Sequence, residues 1–154
     1  MHPKPEKQIT ILQLELPPAP TPGGVYHPVV IVNNLLYISG QPPCNSDGSL
    51  ITGKVGQDLS LEEGYEAARQ TGLTMLSTLR SHLGDLNQIK RLVKTLGMVN
   101  CLPDFTLHPA VINGYSELMR DIWGEEYGKG ARSAVGMTLP GNIAVEIEAI
   151  FELF

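Results

Sequence analysis

The order of segments in this sequence predicts an α+β domain whose mixed sheet carries two main helices on one face. Three observations lead there. Two β-rich runs flank a two-residue Asn33-Asn34 turn, which is the pattern of a β-hairpin. Ser60-Leu61-Glu62-Glu63 is a capping box and opens a long amphipathic stretch. The full order, β-β-(β)-α-β-α-β-β, combines hairpins with crossover helices and so gives a mixed sheet with its helices on one side.

The 154 residues fit one domain, 1–154, large enough to bury its own core, and 42% hydrophobic with 18% charged residues is an ordinary globular balance. A net charge of -5, without a run of five like charges, gives no footprint for nucleic acid. The broken apolar run from Ile9 to Leu16 is neither a signal peptide nor a membrane span. Two cysteines, Cys44 and Cys101, lack a CxxC partner or a histidine at ligand spacing, so a reduced, cytoplasmic setting is expected.

Along the chain, residues 8 to 16 form an element of ambiguous type. The segment 17 to 24, Pro-Pro-Ala-Pro-Thr-Pro-Gly-Gly, lacks the amide donors of a helix and reads as extended. Val29 to Val32 and Leu35 to Ile38 make the hairpin, and Ser49 to Ile51 is a candidate short strand in a turn-rich stretch. A helix is predicted from Leu61 to Gly84, where Leu61, Tyr65, Ala68, Met75, Leu76, Leu79 and Leu83 keep the helical period. Ile89 to Asn100 has the apolar density of a buried strand. A second helix is predicted from Pro109 or Ala110, with Gly124 as its stop, followed by a flexible loop at Gly128-Lys129-Gly130. Arg132 to Leu139 and Ile143 to Phe151 are expected to pair as a final hairpin around Pro140-Gly141-Asn142. Helices on one face leave the other bare, and these strands are too apolar to face water, so self-association is expected.

Gly48 to Lys54 nearly matches a phosphate-binding loop, but Val55 stands where a Ser or Thr is required and no helix follows. His2, His27, His82 and His108 are scattered, with no pair at helical ligand spacing, so no metal site is predicted. Ser39-Gly40-Gln41 lacks the frame of a nucleophile elbow. In the final hairpin, pairing around Gly141 gives Arg132 and Glu146 the same parity, which predicts that both project from one face. A guanidinium is a rigid fork for a carboxylate, and a neighbouring glutamate can activate water. That pair suits hydrolysis of a small anionic substrate. A solvated surface Arg-Glu pair would give the same pattern, and Glu148 competes with Glu146 for the role.

Several strings resemble the RidA (YjgF) family of reactive-intermediate deaminases. They are Tyr37-Ile38-Ser39-Gly40-Gln41, Gly53-Lys54-Val55-Gly56, Leu61-Glu62-Glu63-Gly64, Val111-Ile112-Asn113-Gly114-Tyr115, Ala131-Arg132-Ser133, and Leu139-Pro140 leading into Val145 to Ile150. The resemblance runs from about Tyr26 to Glu152. It implies a chorismate-mutase-like fold, a homotrimer with sites in the clefts between subunits, and no cofactor. It further implies hydrolysis of enamines or imines of small carboxylates to 2-keto acids and ammonia. By position, Arg132 would bind the substrate carboxylate and Glu146 would orient the attacking water, as the catalytic pair. Tyr26, Ser39, Gly40 and Asn113 would line the pocket, with backbone groups of Ala134. Many family members carry Cys where this chain has Ala134, so a thiol role there is absent. An N-terminal extension, 1–22, and an altered approach to Arg132 through Trp123 to Gly130 resemble a longer subgroup.

Two other functions use the same residues differently. A non-catalytic, metabolite-binding or regulatory trimer would bind 2-keto acids without turnover. An endoribonuclease, a label carried by some relatives, fits the acidic charge poorly.

Overall fold

The computed structural model describes residues 2–154. Its first helix, α1 (Pro5–Ile11), opens with proline at the helix start, where the missing amide donor is no loss, and buries Ile9 in the main core. The ambiguous N-terminal element is thus a helix, earlier in the chain than expected. The Pro-rich segment after it is extended, as the missing donors require.

The hairpin is present as β1 (Val29–Val32) and β2 (Leu35–Gln41), turning at Asn33 with a positive φ of 56°. From Gln41 to Ser60 the chain is turns and isolated bridges, and the candidate strand at Ser49 to Ile51 is reduced to one bridge between Cys44 and Leu50. The helix α2 (Leu61–Leu83) begins with both halves of the capping box, Glu63 N–H to Ser60 Oγ at 3.1 Å and Ser60 N–H to Glu63 Oε2 at 2.7 Å. Then follow β3 (Ile89–Asn100), α3 (His108–Tyr127), β4 (Ala131–Met137) and β5 (Val145–Leu153). Gly124, with φ 82° and ψ 173°, breaks α3 where the stop was expected, and one further turn follows it.

The five strands lie in the order β1-β2-β5-β3-β4, with β3 and β4 parallel and the other pairs antiparallel. Both long helices cover one face, where Leu36, Ile147, Phe151, Met75, Leu79, Ile112 and Leu118 are fully buried. The other face has no helix, and Val30, Val32, Tyr37, Val135 and Met137 are exposed. The mixed sheet with helices on one side is therefore as the sequence predicts.

The expected final hairpin is not formed. β4 leaves α3 as the parallel partner of β3, and β5 pairs with β2 and β3, so β3 lies between the last two strands. The link from Thr138 to Ala144 crosses the end of β3, a step of about 10 Å or two strand spacings. Buried Asn100 at that end fixes the crossing. Its Nδ2 donates to Asn142 Oδ1 at 2.9 Å and to Gly53 O at 3.3 Å, while its own N–H donates to Ala144 O at 2.9 Å. The physical reason is that β3, twelve residues long and continuously buried from Gly97 to Asn100, is the better partner for each of the last strands.

Candidate active site

The crossover moves Arg132 and Glu146 to opposite faces. In the ladder Arg132 stands opposite Thr95, which stands opposite Ala149, while Glu146 stands opposite Met98. Residues that pair across strands share a face, so Arg132 points to the helix side and Glu146 to the bare side. The expectation that both project from one face of one chain is overturned, because it rested on direct pairing of β4 with β5.

On the helix side, Arg132 is held by α3. Its Nη1 donates to Asn113 Oδ1 at 2.8 Å and to Ser116 Oγ at 3.1 Å. Asn113 and Ser116 are three residues apart on the helix and thus share a face. Ala134, two residues beyond Arg132, lies on the same side of β4, opposite Gly97. Because β4 is an edge strand, this cluster sits at the rim of the sheet. The ion pairs among the described residues involve Arg80, Lys90, Arg120 and Lys129, and none involves Arg132. An oriented guanidinium on a rim without a carboxylate partner is a seat for an anion.

On the other side of the sheet, Glu146 lies against the backbone of Gly40. A Cβ on Gly40 would stand 2.8 Å from the Glu146 carboxyl carbon, so only glycine admits the carboxylate there. The β2–β5 register shifts between Ile38 and Gln41, which turns the strand at this point. Gln41 holds the irregularity, donating from Nε2 to Ser39 O at 2.9 Å and accepting from Thr78 Oγ1 at 2.7 Å. Gly40, Gln41, Glu146 and Tyr26 line one cavity of about 630 Å³. Tyr26 is exposed there, and its hydroxyl accepts from Gly23 N–H at 3.2 Å. Burial, with the nearby Glu148 charge second, pushes the Glu146 carboxyl above its ordinary value.

Ser39 and Glu148 belong elsewhere. The Ser39 hydroxyl donates to His27 O at 2.8 Å, and with Lys94 and Glu148 it lines a separate hollow on the bare face. The predicted residues thus divide into an anion seat of Arg132, Asn113 and Ala134, and a carboxylate cavity of Tyr26, Gly40 and Glu146. Ser116 and Gln41 were missed as positioning residues. The spacing of Ser116 from Asn113 would have found the first, whereas the Gln41 contact to Thr78 spans 37 residues and leaves no sequence signal. Spacing also failed for Cys101, whose Sγ lies 3.4 Å from His108 Nε2. Among the described residues no group of three or more His, Cys, Asp or Glu side chains is gathered for a metal.

This architecture defines a class, the chorismate-mutase-like α+β domains with a rim arginine and a sheet-face glutamate. The chain belongs to the YjgF/RidA family. The family model described as "YjgF/chorismate mutase-like, putative endoribonuclease" matches residues 6–146, which includes much of the N-terminal extension. Protein TCP17 of Trypanosoma cruzi is 42% identical over 143 residues, 92% of this chain and 89% of that protein. The crystal structure of Atu1372 from Agrobacterium tumefaciens superposes with a TM-score of 0.86 at 38% identity, covering 97% of this chain and 94% of the other. RidA from the Antarctic bacterium Psychrobacter superposes with a TM-score of 0.58 at 28% identity, covering 88% and 94%. No helix among the described residues is long and apolar enough to cross a membrane.

Proposed function

We propose that the protein hydrolyses enamines and imines of small 2-amino carboxylates to 2-keto acids and ammonia, at sites shared between two copies of a homotrimer. The observation that carries this reading is the separation of the two charged groups. Arg132 waits at an exposed rim for an anion, and Glu146 lies on the uncovered face of the same chain, where only a second copy can bring another Arg132 to it. The exposed apolar residues of that face, Val30, Tyr37, Val135 and Met137, support burial against neighbouring copies. The two free, buried cysteines fit a cytoplasmic protein.

In the reaction, Arg132 of one copy pairs with the substrate carboxylate and Glu146 of the next faces the imine carbon. An enamine first takes a proton from water on its β-carbon and becomes the iminium form of the imine. Glu146 then accepts a proton from water as the oxygen bonds to the imine carbon, giving a carbinolamine. The same carboxyl returns that proton to nitrogen, then takes the hydroxyl proton as the carbonyl forms and the C–N bond breaks, and passes it to the departing ammonia, which leaves as ammonium with the 2-keto acid. A carboxyl with a raised pKa is suited to both transfers.

The test is release of 2-keto acid from an imine generated in place by an amino-acid oxidase. Arg132→Ala is expected to lower kcat/KM by about 100-fold or more, the cost of losing a charged hydrogen-bond anchor. Unchanged rates would remove Arg132 from the mechanism. Tight binding of 2-keto acids with no acceleration of hydrolysis would replace the enzyme reading with that of a binding or regulatory protein, and strongly salt-dependent RNA binding would favour the endoribonuclease reading.

A further inference from the structure

The cavity that holds Glu146 is closed on one side by the N-terminal segment. Pro18, Pro20 and Pro22 form that wall, and Leu50 and Ile143 stand among the residues lining the rest. Prolines have a fixed φ and no N–H, so the wall is stiff and contributes no amide donors at these positions. It is also anchored. Before it, Ile9 is in the core, and Glu6 takes a 2.6 Å ion pair from Arg80 and the Leu86 N–H at 3.0 Å. At its start the Pro17 carbonyl accepts from Ser77 Oγ on α2 at 2.5 Å, and at its end Gly23 N–H donates to Tyr26.

About 630 Å³ falls within the range of sites that enclose drug-sized ligands, far beyond the few heavy atoms of a three-carbon imino acid. With the substrate carboxylate at the neighbour's Arg132 and the imine carbon at Glu146, the remaining substituent is the one group left to occupy this apolar space. The geometry points to a substrate with a large apolar side chain, branched aliphatic or aromatic, selected by the proline wall of residues 18–22. This rests on the deaminase reading above.

The experiment compares imines generated in place from alanine, leucine and phenylalanine. The wild type is expected to favour the leucine or phenylalanine imine over the alanine imine by about tenfold or more in kcat/KM, mostly through KM, in line with what apolar pockets discriminate. Ala19→Trp, which fills the cavity, and Pro20→Gly, which loosens the wall, should both bring that ratio close to one. Equal rates for all three imines in the wild type, or a preference untouched by both variants, would overturn the inference and leave the deaminase reading standing. If no imine is turned over, that reading fails instead, and the wall is judged by calorimetry with pyruvate and phenylpyruvate. About tenfold tighter binding of phenylpyruvate supports the inference, and equal affinities overturn it.

Discussion

In the proposed reaction the carboxylate at position 146 must be ionised in surroundings that resist its charge. Burial is the larger cause of its raised pKa and the Glu148 charge the smaller. A base acts in its ionised form, so the acid limb of kcat/KM should lie above the pH at which an ordinary glutamate titrates. Glu148→Gln removes the like charge without touching the cavity, and the limb should move down in a pH profile, whereas an unshifted limb would assign the ionisation to another group. Stability runs the other way. A group whose pKa is raised in the fold binds its proton more tightly folded than unfolded, so its contribution is present at low pH and is lost as pH rises through its folded value. Glu146→Gln should therefore lose activity and yet raise Tm at neutral pH, the mark of a residue kept for function.

The elements were largely legible because their signals are local. The capping box at Ser60, the asparagine turn at 33 and the glycine break at 124 each act within a few residues, and each appears where sequence placed it. Pairing between distant strands is not local. Arg132 and Glu146 would share a face only if the last two strands were neighbours, and a buried asparagine at the end of β3 decides otherwise. Asn100 is fully buried, its Nδ2 serving Gly53 and Asn142 while its Oδ1 accepts from Lys54 Nζ at 3.0 Å. Asn100→Leu leaves those groups without partners. It should destabilise the protein by about 2–3 kcal/mol in urea unfolding at fixed protein concentration, with the slope on denaturant unchanged. A loss below about 0.5 kcal/mol would mean that water replaces the side chain and that the crossing is held by its main-chain bonds alone. The residues carrying the family resemblance were therefore readable, but the face on which each one sits was not.

For the whole molecule, the decisive matter is whether one active site draws on two chains. Arg132 and Glu146 stand on opposite faces of one sheet, so a single copy holding both halves of a site would need the sheet itself to be breached. In the ring of three proposed above, each interface would join the rim of one copy to the open face of the next. Arg132→Ala and Glu146→Gln, each inactive alone, then become complementary when co-expressed. The glutamine variant supplies an intact arginine and the alanine variant an intact glutamate. Every mixed trimer, whichever variant is in excess, joins an intact arginine to an intact glutamate at one of its three interfaces, so the mixed trimers should recover about a third of wild-type activity, with normal KM at the restored sites. The measurement needs the two variants to carry different tags, so that mixed assemblies are isolated by sequential affinity steps before imine hydrolysis is assayed. Mixed trimers with no recovered activity would mean that both groups act within one chain. Recovery near a third requires that arginine and glutamate meet across the boundary between copies, and it explains why a chain of this size leaves an apolar sheet face open.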